Sequence, residues 1–328
     1  MKLSNFAFWG VLALELALVA CSTATVSSGA SDDLTEASSS SGSSLVELDS
    51  ANLNANSGTS AYARNLEMPY FEASDSMLFL AHTAEADSEI LNYAIFYNAS
   101  LKHAEWVAFS FDETTAADNV SRSEAWAVDP LLPEEFQTDN SYHTYDGFDR
   151  GHLCASEDRV WSSEANEQTF YYSNVSPQLN DLNANFWSKL ETLVRSWGRS
   201  AGSTYDKVYM AKGGTLNELL EGFTGEIADA NGVYPTTDSD GFTTKGLPCP
   251  KYYFMAILAE LDGAYQAIGF LVEHKEGWPS EPTTAELQAT AMSIDDLEEA
   301  TGLDFFCNLD DATEAAVEAE LDLSKWAW

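Results

Sequence analysis

The residue with the clearest chemical potential in this sequence is His152. It is the only one of the five histidines with both an aspartate and an arginine within the three preceding residues, Asp149 and Arg150. An imidazole can take a proton from water near neutral pH. A guanidinium presents a planar set of donors that suits the oxygens of a phosphate group. The combination predicts a site that activates water next to a phosphate ester.

A second set of candidates follows downstream, where Asn183, Trp187 and Glu191 recur every fourth residue. That spacing places them in a row on one helix. The amide oxygen of Asn183 is a ligand that Mg²⁺ accepts alongside water molecules. In a regular helix Asn183 and Glu191 are about 12 Å apart, at roughly 1.5 Å per residue, so they cannot both contact one ion. We therefore interpret Glu191 as a residue that holds a metal-bound water.

The run Asp149-Arg150-Gly151-His152 resembles the signature of the DNA/RNA non-specific endonucleases, the ββα-metal nucleases. The match continues in order and at similar spacing through Asn174 with Pro177-Gln178, and then through Asn183, Trp187 and Glu191. The resemblance covers about residues 66 to 310.

The resemblance implies a role for each matched residue. His152 is similar to the general base that activates water, and Asn183 to the single direct protein ligand of a Mg²⁺ ion otherwise held by waters. Glu191 resembles the residue that orients those waters, and Arg150 an arginine near the metal and the phosphate. Asn174 resembles an asparagine of the same site, and Arg122 resembles the arginine that stabilises the transition state.

The function implied is Mg²⁺-dependent hydrolysis of phosphodiester bonds in DNA and RNA, with Mn²⁺ or another divalent cation as possible substitutes. Contacts mainly to the sugar–phosphate backbone carry little base specificity, which would allow both polymers as substrates. Two alternatives stay open. One is a phosphodiesterase for small nucleotides, and the other is a surface nucleic-acid-binding protein that has lost catalysis.

The elements that must position these residues alternate between strands and helices. A helix is predicted from the apolar spacing between Phe186 and Trp197, where Gly198 stops the pattern. A second, acidic helix is predicted over 294–300. Segments rich in aromatic and β-branched residues predict strands, the last two as a hairpin around Asp262-Gly263: 92–98, 105–111, 207–212, 251–261 and 264–272. We expect an α+β fold with a mainly antiparallel sheet, a ββα-metal catalytic core and a central helix that carries Asn183.

The N-terminus is interpreted as a targeting segment. The apolar stretch 6–20 and the following Cys21 resemble a bacterial lipoprotein signal peptide over residues 1–21, with lipid on Cys21. Residues 22–62, rich in Ser and Ala, are predicted to be a flexible tether, and 63–328 the nuclease domain. We expect an exported outer-membrane lipoprotein, periplasmic or at the cell surface, that meets the membrane only through its lipid. Secretion is the alternative.

Three cysteines remain after Cys21, so at most one disulfide can form within the chain. We predict the pair Cys249–Cys307, because Cys154 lies next to the His152 motif. The sequence lacks the closely spaced pair of cysteines that is typical of a structural zinc site, so we do not expect one.

The formal net charge is −38. This excludes a generally basic nucleic-acid coat protein, which needs positive charge over a broad surface. Eight of the fifteen Lys and Arg residues nevertheless fall in the segment that holds the motif: Arg122, Arg150, Arg159, Lys189, Arg195, Arg199, Lys207 and Lys212. The clustering predicts a basic or neutral cleft on an acidic body.

Overall fold

A computed structural model describes residues 52–58, 60–84, 89–199 and 203–328. The predicted signal peptide, Cys21 and most of the predicted tether lie outside these residues. The described body begins earlier than the predicted boundary at residue 63. Asn56 is fully buried, its Nδ2 donates to the Pro69 carbonyl at 3.0 Å, and its backbone N–H donates to Asn308 Oδ1 at 3.1 Å. Side-chain amides, rather than apolar residues, dock this segment, and apolar patterning does not reveal them.

The main sheet has seven strands, and every neighbouring pair in it is antiparallel, which confirms the predicted α+β class. In their spatial order across the sheet, the strands are β1 Met77–Thr83, β2 Leu91–Asn98, β3 His103–Phe111, β6 Lys207–Gly214, β7 Tyr252–Leu261, β8 Ala264–Glu273 and β9 Ala291–Met292. A separate two-stranded ribbon is formed by β4 Asp149–His152 and β5 Val175–Gln178.

Both faces of the sheet are covered, because successive residues of a strand point to opposite sides. In β2, Tyr93, Ile95 and Tyr97 belong to one hydrophobic core. The intervening Ala94 and Phe96 belong to a second core. This double burial explains why the central strands read as continuous apolar runs rather than alternating ones.

The predicted hairpin between β7 and β8 is confirmed, with Asp262 and Gly263 at φ 52° and 75°. Positive φ at both central residues matches the twist of the flanking strands, and Asp-Gly tolerates it well.

The helices include both that were predicted. They are α1 Ser163–Gln168, α2 Ser188–Gly198, α3 Thr284–Gln288, α4 Ile294–Thr301 and α5 Asp311–Glu318. A π-helical turn, Asp181–Trp187, runs directly into α2. Gly198 closes α2 where a Cβ would lie 2.8 Å from Val208 Cγ2, and Gly302, at φ 74°, ends α4. Within the described residues, no helix is long and apolar enough to cross a membrane.

The predicted Cys249–Cys307 disulfide is wrong, because Cys154, Cys249 and Cys307 are all buried free thiols. Cys249 packs against Phe148 and Leu179, whereas Cys307 Sγ lies 3.3 Å from Asn56 Nδ2. The two cysteines thus sit in different parts of the core, which spacing along the chain does not reveal.

Candidate active site

The signature motif forms the first strand of the small ribbon. Gly151 of β4 pairs with Ser176 of β5, and His152 pairs with Val175. A Cβ on Gly151 would lie 2.1 Å from Gln178 Oε1, so a larger residue here would have to displace the buried side chain of Gln178. β4, β5 and the helix that follows form a ββα unit.

Two buried histidines fix this unit to the main sheet. His103 Nε2 lies 2.7 Å from Ser176 Oγ on β5. His274 Nε2 accepts from the Leu179 N–H at 2.8 Å, just before the π-helical turn. Burial lowers the pKa of each imidazole to about 4, so both are neutral and act as hydrogen-bonding supports.

His152 lies among aromatic rings at the end of β4. The centroids of Phe170 and Trp126 are 4.9 and 5.2 Å from its own. Its buried Nε2 has no hydrogen-bond partner among the described residues. Burial, followed by the charge of Arg122, lowers the pKa of His152 to about 3. The imidazole is therefore neutral at physiological pH, with a ring nitrogen that can receive a proton.

Two arginines stack on the rings that surround His152. The Arg150 guanidinium lies 3.9 Å from the Trp126 ring centroid, and the Arg122 guanidinium lies 4.8 Å from that of Phe170. Arg122 also pairs with Glu124 at 3.0 Å. Stacking on a ring fixes the plane of a guanidinium and leaves its N–H edge free for oxygen atoms. The structure thus brings Arg122, Arg150 and His152 together.

Asn183 lies in the π-helical turn and faces Asp149 of the motif. Its Nδ2 donates to Asp149 Oδ2 at 2.9 Å, and Asn180 Nδ2 donates to the same oxygen at 2.9 Å. With Nδ2 used in this way, Oδ1 is the amide atom of Asn183 left for a ligand. π-Helical turns of this kind occur frequently at functional sites. The turn also means that the regular-helix separation expected between Asn183 and Glu191 does not apply to this segment.

Asn174 is placed behind His152 rather than in the open cleft. It is fully buried; its Nδ2 donates to the Cys154 and Thr169 carbonyls, and its Oδ1 accepts from the Cys154 N–H at 2.8 Å. The backbone carbonyl of Asn174 also accepts from the Leu153 N–H. Its amide is thus used to hold the chain directly after His152.

Glu191 lies in a buried network of four charges. Its Oε1 contacts Lys212 Nζ. Lys212 Nζ is also 3.6 Å from Asp158 Oδ2, and Asp158 Oδ1 pairs with Arg195 at 3.1 Å. Burial alone would lower the pKa of Lys212, but the charges of Glu191 and Asp158 outweigh it and the pKa is raised. The network is formally neutral.

A cleft of about 430 Å³ is lined by Arg122, Arg150, Asn183 and Asp149, together with Glu124 and Asp229. Two arginines therefore face three carboxylates. The predicted basic or neutral cleft does not match this balance, because most of the clustered cations are used elsewhere. Arg159 is fully buried, and four others form ion pairs away from the cleft: Lys189, Arg195, Arg199 and Lys212.

Sequence reasoning did not identify several residues that build the site. The sequence predicts that Asp149 shapes the loop of the motif rather than reacting, and it does not reveal the hydrogen bonds that Asp149 accepts from Asn180 and Asn183. Glu124 bridges Arg122 and the indole of Trp126, whose Nε1 donates to it at 3.0 Å. Its position two residues after Arg122 was an available signal. Phe170 had no such signal, because its contact with His152 exists only in the folded chain.

Comparison with known proteins agrees with this architecture. The sequence profile of the DNA/RNA non-specific endonuclease family matches residues 79–312. Mitochondrial endonuclease G of Homo sapiens is 28% identical over 252 residues, 67% of this chain and 74% of the human protein. Nuclease C1 of Cunninghamella echinulata var. echinulata is 29% identical over 243 residues, 70% of this chain and 86% of the fungal protein. A nuclease of the Nostoc sp. strain PCC 7120 is 26% identical over 232 residues, 70% of this chain and 76% of that protein.

A solved structure shows the same fold. In the crystal structure of the EndoG/EndoGI complex, the matched chain is 18% identical and superposes with a TM-score of 0.53, covering 73% of this chain and 89% of that one. The family match spans most of the chain and includes both strands of the ribbon and the helix with Asn183 and Glu191. This chain therefore belongs to the DNA/RNA non-specific endonuclease family, and it is a nuclease, a hydrolase that acts on nucleic acids.

Proposed function

We propose that this nuclease hydrolyses phosphodiester bonds of both DNA and RNA in a Mg²⁺-dependent reaction, with His152 as the general base. The observation that carries the proposal is the neutral imidazole of His152. Its Nε2 has no hydrogen-bond partner among the described residues, and it lies beside Arg122 and in the same motif as Arg150.

His152 takes the proton of the attacking water. Its pKa of about 3 applies to the protein without substrate. An anionic phosphate next to the ring favours the protonated form and raises the pKa toward the working pH. A base whose pKa is close to the working pH is the most effective one.

Arg122 and Arg150 bind the scissile phosphate. Their stacked planes direct N–H groups at oxygen atoms, so their charge is in place before the reaction begins. These contacts involve the phosphate and not the bases, in keeping with a substrate range that includes both polymers.

The donor set around Asn183 fits a hard divalent cation. An amide oxygen oriented by a carboxylate suits Mg²⁺, which keeps several of its waters; Mn²⁺ or another divalent ion would find the same ligand. When bound, such an ion supplies positive charge that stabilises the leaving oxygen. We assign Glu191 to the orientation of nearby water, through the carboxylate oxygen that Lys212 does not use.

The test for the base is His152→Ala assayed on plasmid DNA and on RNA with Mg²⁺, with and without EDTA. Loss of a general base lowers the rate by about 10²–10⁴-fold. Circular dichroism would confirm that the variant is folded. Equal cleavage by wild type and variant would disprove the assignment.

The test for the ligand uses a matched pair, Asn183→Ala and Asn180→Ala. Both side chains donate to Asp149 Oδ2 at 2.9 Å, so both variants lose one similar hydrogen bond. Only the first should raise the Mg²⁺ concentration needed for half-maximal activity. Equal shifts would show that Asn183 acts only through its hydrogen bond.

A phosphodiesterase for small nucleotides remains the second candidate, because the carboxylates of the cleft oppose the attraction of a long anionic chain. The two possibilities are separated by comparing kcat/KM for a plasmid and for a dinucleotide. A preference for the dinucleotide would replace the endonuclease assignment.

We also propose that the protein is exported and anchored to the outer membrane by lipid on Cys21. The support is the apolar stretch that precedes this cysteine. Labelling with a radioactive fatty acid should mark the wild type and not Cys21→Ser, and the variant should leave the membrane fraction. An unlabelled wild type would favour simple secretion.

A further inference from the structure

Three carboxylates converge at the junction of α4 and α5. Asp295 and Glu298 lie one turn apart on α4, and Glu318 is the last residue of α5. One oxygen from each lies within 4.8 Å of the other two. Asp295 is exposed, Glu298 is half-buried and Glu318 is only 6% exposed.

The buried carboxylate of Glu318 lacks a partner. Its Oε1 is inaccessible to solvent and has no hydrogen bond with any described residue. Burial, followed by the charges of Glu298, Glu314 and Asp304, raises its pKa to about 9. A buried carboxylate without a donor or a cation is costly, so this oxygen is an available ligand.

These three carboxylates have no cationic partner among the described residues. None of the ion pairs formed within the described parts of the chain involves Asp295, Glu298 or Glu318. The Phe305 N–H donates to Glu298 Oε1 at 2.7 Å, which leaves the other oxygen of Glu298 for a ligand.

We propose that Asp295, Glu298 and Glu318 bind one Ca²⁺ ion. Calcium takes six to eight oxygens at about 2.3–2.6 Å, so oxygens on opposite sides of the ion are up to about 5 Å apart. The three carboxylate oxygens fit within that span. Mg²⁺ prefers a smaller sphere of about 2.0–2.1 Å radius, keeps several waters and rarely uses three carboxylates.

This site is distinct from the catalytic one. Leu297 of α4 and Val317 of α5 belong to the core on one face of the sheet. The π-helical turn and α2 pack into the core on the opposite face. Glu318 also lies beyond residue 312, where the family match ends. An ion here would join α4 to α5. The N-terminal segment lies close by, since Asn54 Nδ2 donates to Glu314 Oε1 of α5 at 2.7 Å.

The experiment measures Tm with CaCl₂ after removal of metal with a chelator. It is done in the Asn183→Ala background, so that binding at the proposed catalytic ligand does not contribute. A ligand at about 100 times its Kd should raise the Tm of a protein this size by roughly 5–10 °C. Glu318→Gln and Asp295→Asn should lose most of the shift. Glu299→Gln, an exposed carboxylate on the same helix, should keep it.

Isothermal titration of the same proteins gives the stoichiometry directly, with one Ca²⁺ expected for the parent and none for Glu318→Gln. No shift in the parent, or an equal shift in Glu318→Gln, would overturn the site. An equal shift with MgCl₂ would overturn the choice of calcium. Because the readouts are binding and stability, failure here would leave the nuclease proposal intact.

Discussion

The charges buried around α2 are all matched within the protein, whereas those between α4 and α5 are not. Glu191 and Asp158 meet Lys212, and Asp158 also meets Arg195. At the other site, Glu318 faces Glu298 and Asp295. The first region needs nothing from solution to be stable, and the second is incomplete without protons or a cation. Buried carboxylates of one chain are thus paired with cations in the first region and left unpaired in the second.

The largest effect on stability should come from removing Lys212, the cation shared by Glu191 and Asp158. Lys212→Met leaves Glu191 and Asp158 without their shared cation and should lower the free energy of unfolding by about 3–5 kcal/mol. Urea unfolding followed by circular dichroism measures it. The control is Lys189→Met, which removes a solvent-exposed pair with Glu281 and should cost at most about 1 kcal/mol. Similar costs for both variants would show that burial does not distinguish the pairs.

Asp149 is a third case, because its carboxylate accepts hydrogen bonds from two side-chain amides instead of pairing with a cation. Asp149→Ala releases both asparagines and should reduce nuclease activity by about 10–100-fold, as expected for a residue that orients the proposed metal ligand Asn183. Asp149→Asn keeps an acceptor oxygen and should lose less. The check is kcat/KM on plasmid DNA at saturating Mg²⁺. Full activity of Asp149→Ala would show that Asn183 does not depend on this contact.

The buried histidines near the active site, including the cleft residue His143, and the carboxylates between α4 and α5 should give stability opposite dependences on pH. His103, His143 and His274 have pKa values lowered to about 4, 3 and 4, chiefly by burial, against about 6.5 in the unfolded chain. The unfolded state therefore binds more protons, and their contribution to stability is lost as the pH falls below about 6.5.

Glu298 and Glu318 have pKa values raised to about 7 and 9, chiefly by burial. Here the folded state retains protons, so stability is lost as the pH rises from about 4.5 through those values. Without divalent ions, Tm between about pH 6 and pH 9 should fall less in Glu318→Gln than in wild type, while the acid decline is unchanged. Parallel curves of Tm against pH for the two proteins would show that Glu318 does not cause the loss of stability at high pH.

The smallest expected effect is a shift in the pH dependence of kcat/KM, through the influence of Arg122 on the pKa of His152. Because the charge of Arg122 helps to lower the pKa of His152, Arg122→Gln should move the acid limb of the kcat/KM profile to higher pH. Arg122→Lys keeps the charge and should leave the limb in place. Circular dichroism at each pH separates this shift from unfolding. An unmoved limb in Arg122→Gln would mean that burial alone sets the pKa.

Much of the fold was predictable, because its signals are local. The Asp262-Gly263 turn and the end of α4 at Gly302 each follow from backbone freedom at one or two residues. The π-helical turn was not predicted, since its apolar spacing is close to that of an α-helix.

The site residues are proposed from the motif, whereas the contacts that support them follow from the fold. His152 and Asn183 are proposed from residue type and order, while the contact of Glu191 with Lys212 forms only when β6, the strand that follows α2, packs beside this helix. The wrong prediction of a Cys249–Cys307 disulfide also reflects contacts that only the folded chain decides. Cysteine number limits how many bonds can form, but only packing decides whether two thiols meet.

The sequence by itself determined the family signature, the types of the main elements and the total charge of −38. Only the tertiary structure decided where that charge is used. Of the cations clustered around the motif, Arg122 and Arg150 reach the cleft, while Arg159, Arg195 and Lys212 are buried among partners. Electrostatic energy depends on distance and burial rather than on order along the chain. Arg150 and Arg159 are nine residues apart, yet one lines the cleft and the other is fully buried.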